Sequence, residues 1–272
     1  IGTSSVTNAA GTNILTSTGN SYTGGNTITG GTIQVATTSS LGANNNSLAI
    51  SGNGTLDLLT GTQTQGSVTV TNGNIINGTL TNSGITFTGG SNNITAALAG
   101  AGGLTNASGS TTLTGTNTYS GGTVVNGGSL YVSGNGTLGS TSGTTTMNDS
   151  TLDLGTTTQT QALVSLSNGI ATNGTFNNTA ILGNGGSNTT ATALIGTSSV
   201  TNAAGTNILT SSGNSYTGGN TITGGTLQVA TTSSLGATTN NLSISGNGTL
   251  DLQTGTQTQG NVTVTNGNII NG

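Results

Sequence analysis

Apolar positions along this chain alternate with polar ones over short stretches that are then interrupted by glycine or asparagine, the period of a half-buried strand. Thr32-Ile33-Gln34-Val35 places Ile33 and Val35 on one face and Thr32 and Gln34 on the other. The preceding Thr27-Ile28-Thr29 reaches it through Gly30-Gly31, so turn and strand alternate within a dozen residues. The same pattern predicts strands at Leu48–Ile50, Thr55–Leu58, Ser67–Thr71 and Gly84–Thr88. Thr, Val and Ile suit a pleated surface because of their branched side chains, and the intervening Gly and Asn tolerate left-handed backbone. No stretch combines a helical period with start and stop signals, so the expected class is all-β.

The pattern recurs at long range. Ile1–Gly78 returns as Ile195–Gly272, offset by 194 positions, with mild changes such as Thr18 to Ser212, Ile33 to Leu227 and Leu59 to Gln253. Half of that offset separates Tyr22, Tyr119 and Tyr216, which sit 97 residues apart. The chain therefore divides into repeat units 1–97, 98–194 and a truncated 195–272. Each unit carries a Thr-Leu-Asp-Leu element (Asp57, Asp153, Asp251) and then a Gln-Thr-Gln tripeptide beginning at Gln63, Gln159 and Gln257. Neither end resembles a polar capping repeat, so the expectation is one continuous solenoid without caps, excerpted from a longer repetitive protein. Rungs of about 20 residues stacked about 4.8 Å apart would number roughly 13 to 14 and span about 65 Å, about 24 Å per unit.

Composition sharpens this. With 29% apolar residues, 2% aromatics and 50 glycines, the chain lacks the large side chains of a wide globular core. A β-solenoid needs only a narrow interior lined by one or two aliphatic residues per short strand. A flexible polar linker fits the composition but not the repeated strand-length alternation. The charge inventory is four Asp, with no Lys or Arg, so the chain cannot neutralise phosphate or anionic headgroups. Nucleic acid is therefore excluded as a partner. There is no Cys for disulfides or thiolate metal sites, no run of 18 apolar residues to insert into a membrane, and no signal-peptide pattern.

The same inventory bounds the chemistry. Without His, Cys, Lys, Arg or Glu, a Ser or Thr nucleophile has no basic partner. Asp149 and Asp153 are close enough in sequence to suggest an acid–base pair, but Asp153 belongs to the repeated element whose Leu alternation points it outward, and Asp149 has the setting of a turn residue. Asp occurs about once per unit, too sparsely for a calcium solenoid with a carboxylate on every rung. We expect no catalytic, cofactor-binding or metal-ligating residue, and a protein that is not an enzyme. Thr-x-Thr triplets at Thr27, Thr62, Thr69, Thr79 and Thr86 raise the possibility of a lattice-matching face, although they do not recur at one fixed interval. Asn-x-Ser/Thr sequons, among them Asn53, Asn77, Asn93 and Asn247, matter only in a glycosylating host. The tyrosines and Gly-Gly pairs are expected to serve edge packing and turns.

At Gly115-Thr-Asn-Thr-Tyr119-Ser-Gly-Gly122-Thr-Val-Val125-Asn-Gly-Gly128-Ser-Leu130-Tyr-Val132 the chain resembles the autotransporter-associated β-strand repeat. Gly19–Val35 and Gly213–Val229 are further copies of the motif. The resemblance implies a right-handed parallel β-helix from the passenger region of a type V secreted protein, exported to the surface of a Gram-negative bacterium. A nearly uncharged surface of Thr, Ser, Asn and Gln permits close contact between copies. The expected function is a structural extracellular fibre, sheath or matrix protein whose main partner is itself, through longitudinal stacking and lateral association. The alternative is an adhesin stalk presenting a separate tip, with ice or carbohydrate binding behind it.

Overall fold

Thr32–Val35 forms the strand its alternation predicts, with Ile33 and Val35 fully buried. Leu48–Ser51, Thr55–Asp57 and Asn26–Ile28 match the predicted strands to within one residue at either end. The stretches predicted at 67–71 and 84–88 lie inside longer strands, Thr62–Thr71 and Thr79–Ile94. The computed structural model describes residues 1–36, 41–230 and 235–272. Among them are 26 strands and no helix.

The Gly-Gly steps do not fold strands back as hairpins. They bend the chain into the next side of a coil, and each strand then pairs in parallel with its counterpart one turn later. In one column Asn26 registers with Leu48, Leu48 with Val68, Val68 with Ile85, Ile85 with Leu104 and Leu104 with Thr123. Those steps are 22, 20, 17, 19 and 19 residues long, so one 97-residue repeat makes five turns. A second column runs Ile33, Leu56, Ile75, Ile94, Leu113, Val132. A shorter third side is formed where Thr62–Gln65 registers with Thr79–Asn82 and Leu80 with Leu98. This is an all-β parallel β-helix, the expected class. By contact the chain forms two compact units, Ile1–Ser140 and Thr141–Gly272. The second unit repeats the plan, with Leu163, Ala180 and Ser199 in one column and Thr175 on Thr158 in the short side.

The core is a set of aliphatic stacks rather than a globular interior. Ile28, Ile50, Val70 and Phe87 lie one above another, each no more than 1% exposed. Burying such a side chain is worth about 1.5–3 kcal/mol, and here the burial comes from the turns above and below. Glycine is required where turns bend closest together. Gly31, Gly128 and Gly225 have φ of +63°, +64° and +61°, and a Cβ there would fall 2.2, 2.0 and 2.1 Å from the carbonyl oxygens of Gly11, Gly109 and Gly205. Among the described residues, nine of the twelve non-glycine residues with positive φ are asparagines, among them Asn53, Asn72, Asn77, Asn168 and Asn173. Asn reaches that conformation at low cost, which explains its abundance.

Side chains on the two faces of one turn test this packing. Val68, Val70 and Ile75 are at most 1% exposed beneath the strand Thr79–Ile94, whereas Thr69, between Val68 and Val70, is exposed on the outer face. Ile75→Ala is expected to cost about 2–5 kcal/mol in urea denaturation, and Thr69→Ala distinctly less. Equal losses would mean that stacking is not what buries the core.

Candidate functional site

The side chains able to carry chemistry are four carboxylates, four phenols and the hydroxyl and amide groups that fill the rest of the surface and corners. Three of the carboxylates occupy the same local turn. Asp57 follows the buried Leu56, and its Oδ1 accepts the backbone N–H of Leu59 at 2.9 Å. The same oxygen accepts Asn77 Nδ2 from the next turn at 2.8 Å, while Oδ2 accepts Gln34 Nε2 from the turn before at 3.1 Å. Asp251 repeats this with Gln253, Asn271 and Gln228. Asp153 accepts Gly155 N–H and Asn173 Nδ2, both at 2.8 Å. The expected outward direction holds in the alternation, but Asp57 and Asp251 are only 7% and 8% exposed because amides from neighbouring turns lie over them. They are braces between turns rather than solvated surface charges.

Asp149 lies inside the strand Thr144–Asp153 rather than in the expected turn, at a φ of 46° where the register with Leu163–Thr172 passes from Asn148 to Ser150, and it accepts Asn168 Nδ2 at 2.7 Å. Asp149 and Asp153 are therefore committed to different asparagines, Asn168 and Asn173. Among the described residues no group of three or more His, Cys, Asp or Glu converges on a point.

Three of the four tyrosines are buried, and Tyr131 is exposed. Tyr22, Tyr119 and Tyr216 are 5%, 1% and 0% exposed, each donating to or sharing a hydrogen bond with the residue four positions on. Tyr22 Oη donates to Asn26 Oδ1 at 2.6 Å, Tyr119 pairs with Thr123 Oγ1 at 2.7 Å, and Tyr216 donates to Asn220. Asn26 Nδ2 in turn donates to the Leu41 carbonyl and to Gln65 Oε1, both at 3.0 Å. Gln63 Oε1 accepts the Leu41 N–H at 3.2 Å. The tyrosine and the Gln-Thr-Gln tripeptide, two separate landmarks in the sequence, thus meet at one buried knot. The residue at Tyr plus four also interrupts the aliphatic column, since Asn26 and Thr123 bound the run Leu48–Val68–Ile85–Leu104.

Sequence reasoning missed this polar interior. Asn8 donates to Gly30 O at 2.9 Å and accepts from Asn13, Asn202 donates to Gly224 O at 2.7 Å and accepts from Asn207, and Thr111 donates to Asn106 at 2.8 Å. The usable signal was the fixed offset of five between these pairs in all three copies. Asn82, stacked on Gln65, differs: its side-chain amide is buried with no partner.

The threonine triplets need a correction of another kind. Their intervals in sequence vary, but register gathers Thr7, Thr27, Thr69, Thr86 and Thr105 into one outward column interrupted by Ala49. Thr71 and Thr88 hydrogen-bond alongside it. Insertions in the connections absorb the irregular spacing, so an irregular interval does not exclude a regular face.

Burial raises the Tyr22 hydroxyl to about 12, against the smaller opposing effect of its bond to Asn26, and burial also raises Tyr119 and Tyr216. Burial pushes Asp57 upward, but the bonds from Asn77, Leu59 N–H and Gln34 together outweigh it and leave it below the ordinary carboxylate value. The Gln253 N–H, then Asn271, lower Asp251. Asp57 and Asp251 therefore stabilise the fold above about pH 4, a contribution lost as pH falls through their lower folded values. Tyr22, Tyr119 and Tyr216 stabilise it below about pH 10, a contribution lost as pH rises toward their higher folded values. The chain has no His or Cys, so urea midpoints are expected to be flat from about pH 5 to pH 9 and to fall on both sides. Tyr119→Phe should cost about 1 kcal/mol on the plateau and soften the alkaline loss; an unchanged alkaline limb would count against the buried phenol as its cause.

Comparison with known proteins agrees with this geometry. No curated protein and no solved structure matches the chain. A family model does: residues 10–35, 108–132 and 204–229 each match it, and each match spans the inward Asn or Thr of the five-residue offset pair and the Gly-Gly bend. In these three segments the chain is similar to the passenger-associated transport repeat, which supports an autotransporter passenger-type repeat protein.

Proposed function

We propose that this chain is a non-enzymatic structural segment of a secreted or cell-surface protein, a β-solenoid that associates with further copies of itself in a fibre, sheath or matrix. The passenger-type repeat implies export or surface display. The observation that carries the reading is the state of the surface: there is no Lys or Arg, and each of the four carboxylates is bonded to an amide of a neighbouring turn. Long-range repulsion between copies is then minimal, and rows of Thr, Ser and Asn are left to hydrogen-bond laterally. Among the described residues no helix is long and apolar enough to cross a membrane.

Cryo-electron microscopy of the native assembly tests this. Side-by-side packing at a regular spacing, with Thr and Asn faces in contact, is the expected result. Isolated solenoids leading to a distinct globular domain would make the segment a stalk and move the adhesive function to that domain.

A second reading is supported by the threonine column. Thr69 and Thr71 lie beside Thr86 and Thr88 of the next turn, placing hydroxyl and methyl groups at about 6.6 Å along each strand and about 4.8 Å between these turns, an array able to order water. Under this reading, fluorescently labelled protein is taken up into a growing ice crystal, and Thr69→Lys or Thr86→Lys abolishes the uptake. Exclusion of the wild-type chain from ice would end it.

A further inference from the structure

Asn-x-Ser/Thr sequons are frequent in a chain of this composition, and the structure sorts them. Asn106 and Asn188 are fully buried. Asn77 and Asn173 are corner residues whose Nδ2 atoms donate to Asp57 and Asp153 at 2.8 Å, so a substituent there would break a brace between turns. Asn93 is exposed, but it lies in the strand Thr79–Ile94 with its N–H bound to Gly73 O at 3.2 Å.

Asn45 and Asn241 also head sequons and are exposed outside the strands, but one sequon is set apart by its exact recurrence. The hexapeptide Ser-Gly-Asn-Gly-Thr-Leu occurs three times without change, at 51–56, 133–138 and 245–250. In each copy the asparagine is exposed at a corner outside the strands, and the following glycine is buried. The turn is closed in the same way each time: Gly54, Gly136 and Gly248 donate to the carbonyls of Ser51, Ser133 and Ser245 at 2.8, 2.9 and 2.8 Å. The asparagine side chain takes no part in that closure. Asn53 Oδ1 accepts from Asn72 at 2.9 Å, but among the described residues nothing accepts from the Nδ2 of Asn53, Asn135 or Asn247.

We propose that Asn53, Asn135 and Asn247 are acceptor sites for N-linked glycosylation, taking a hexose from a nucleoside-diphosphate sugar. A transferase would join Nδ2 to the anomeric carbon as the bond from that carbon to the diphosphate oxygen breaks. The nucleoside diphosphate leaves with the electron pair, and the amide gives up one proton to the enzyme. The fold decides where a sugar persists: these corners keep every bond of the turn when Nδ2 is substituted, and their buried glycines hold the acceptor outward. The order of transfer and folding does not alter this, because a sugar on Asn106 or Asn188 has no space in the folded chain and one on Asn77 or Asn173 displaces a carboxylate contact.

The test is to co-express the full chain with a soluble N-glycosyltransferase that uses UDP-glucose, purify the folded protein and map hexose by peptide mass spectrometry. Hexose is expected at Asn53, Asn135 and Asn247 and absent from Asn106 and Asn188, with Asn77 and Asn173 strongly under-occupied. Thr55→Ala, Thr137→Ala and Thr249→Ala should each erase the modification at their own asparagine and leave the other two; circular dichroism of each variant confirms the fold. A free Ser-Gly-Asn-Gly-Thr-Leu peptide serves as the reference acceptor. If the peptide is modified and the three corners of the folded protein are bare, or if buried and corner sequons are occupied alike, the proposal is overturned. Refusal of the free peptide overturns it as well.

Discussion

Everything in this fold depends on parallel, in-register pairing between one turn and the next. A single turn has an inner face only a few side chains wide, and no part of it can be covered by the turn itself. Ile75 makes the point, since it is fully buried between Leu56 of the turn before and Ile94 of the turn after. Stability in such a structure is a property of neighbouring turns, and the sequence repeats because each turn must be an acceptable floor and ceiling for others.

The second consequence concerns polar groups. A chain without Lys, Arg or His cannot pair its carboxylates with cations, so amides do that work. Gln34, Asp57 and Asn77 link three successive turns through one carboxylate, and the Tyr22–Asn26–Gln65 knot does the equivalent inside. Both devices are directional, which suits them to fixing register. A column of Leu, Val and Ile tolerates a slip along the stack far better than a phenol that must meet the residue four positions on. The knot recurs as Tyr216–Asn220–Gln259, while in the middle repeat Tyr119 meets Thr123, which donates to the Leu138 carbonyl instead; each repeat thus has a buried tyrosine bond that fixes the phase of the aliphatic columns.

Much of this was legible in the sequence. Strand positions followed from alternation and the 97-residue repeat from the tyrosines, whereas Asp149, with the setting of a turn residue, sits within the strand Thr144–Asp153. What could not be read was anything requiring knowledge of which residues lie one turn apart. Asp57 was correctly placed on the outer side of its strand, but its cover comes from Gln34 and Asn77, 23 and 20 residues away. The inward asparagines were missed because a polar residue next to apolar ones in a Gly- and Thr-rich chain looks like surface. Their partners, such as Gly30 O for Asn8, are again one turn distant.

The threonine column shows why distance along this chain is a poor guide to distance in space. Steps of 22, 20, 17 and 19 residues all return to the same register, because the ladder fixes the strands while the connections between them absorb the difference. Loop length costs little free energy to change, whereas a shift of one residue in register would turn a buried face outward. Selection on a surface feature in such a fold therefore acts on columns. A feature that looks irregular in sequence is regular in the molecule whenever its members share a column, and one that looks periodic is dispersed when they do not. Thr27, Thr69 and Thr86 are the first case, while Asp57 and Asp153, 96 residues apart and each the sole carboxylate of its brace, are the second.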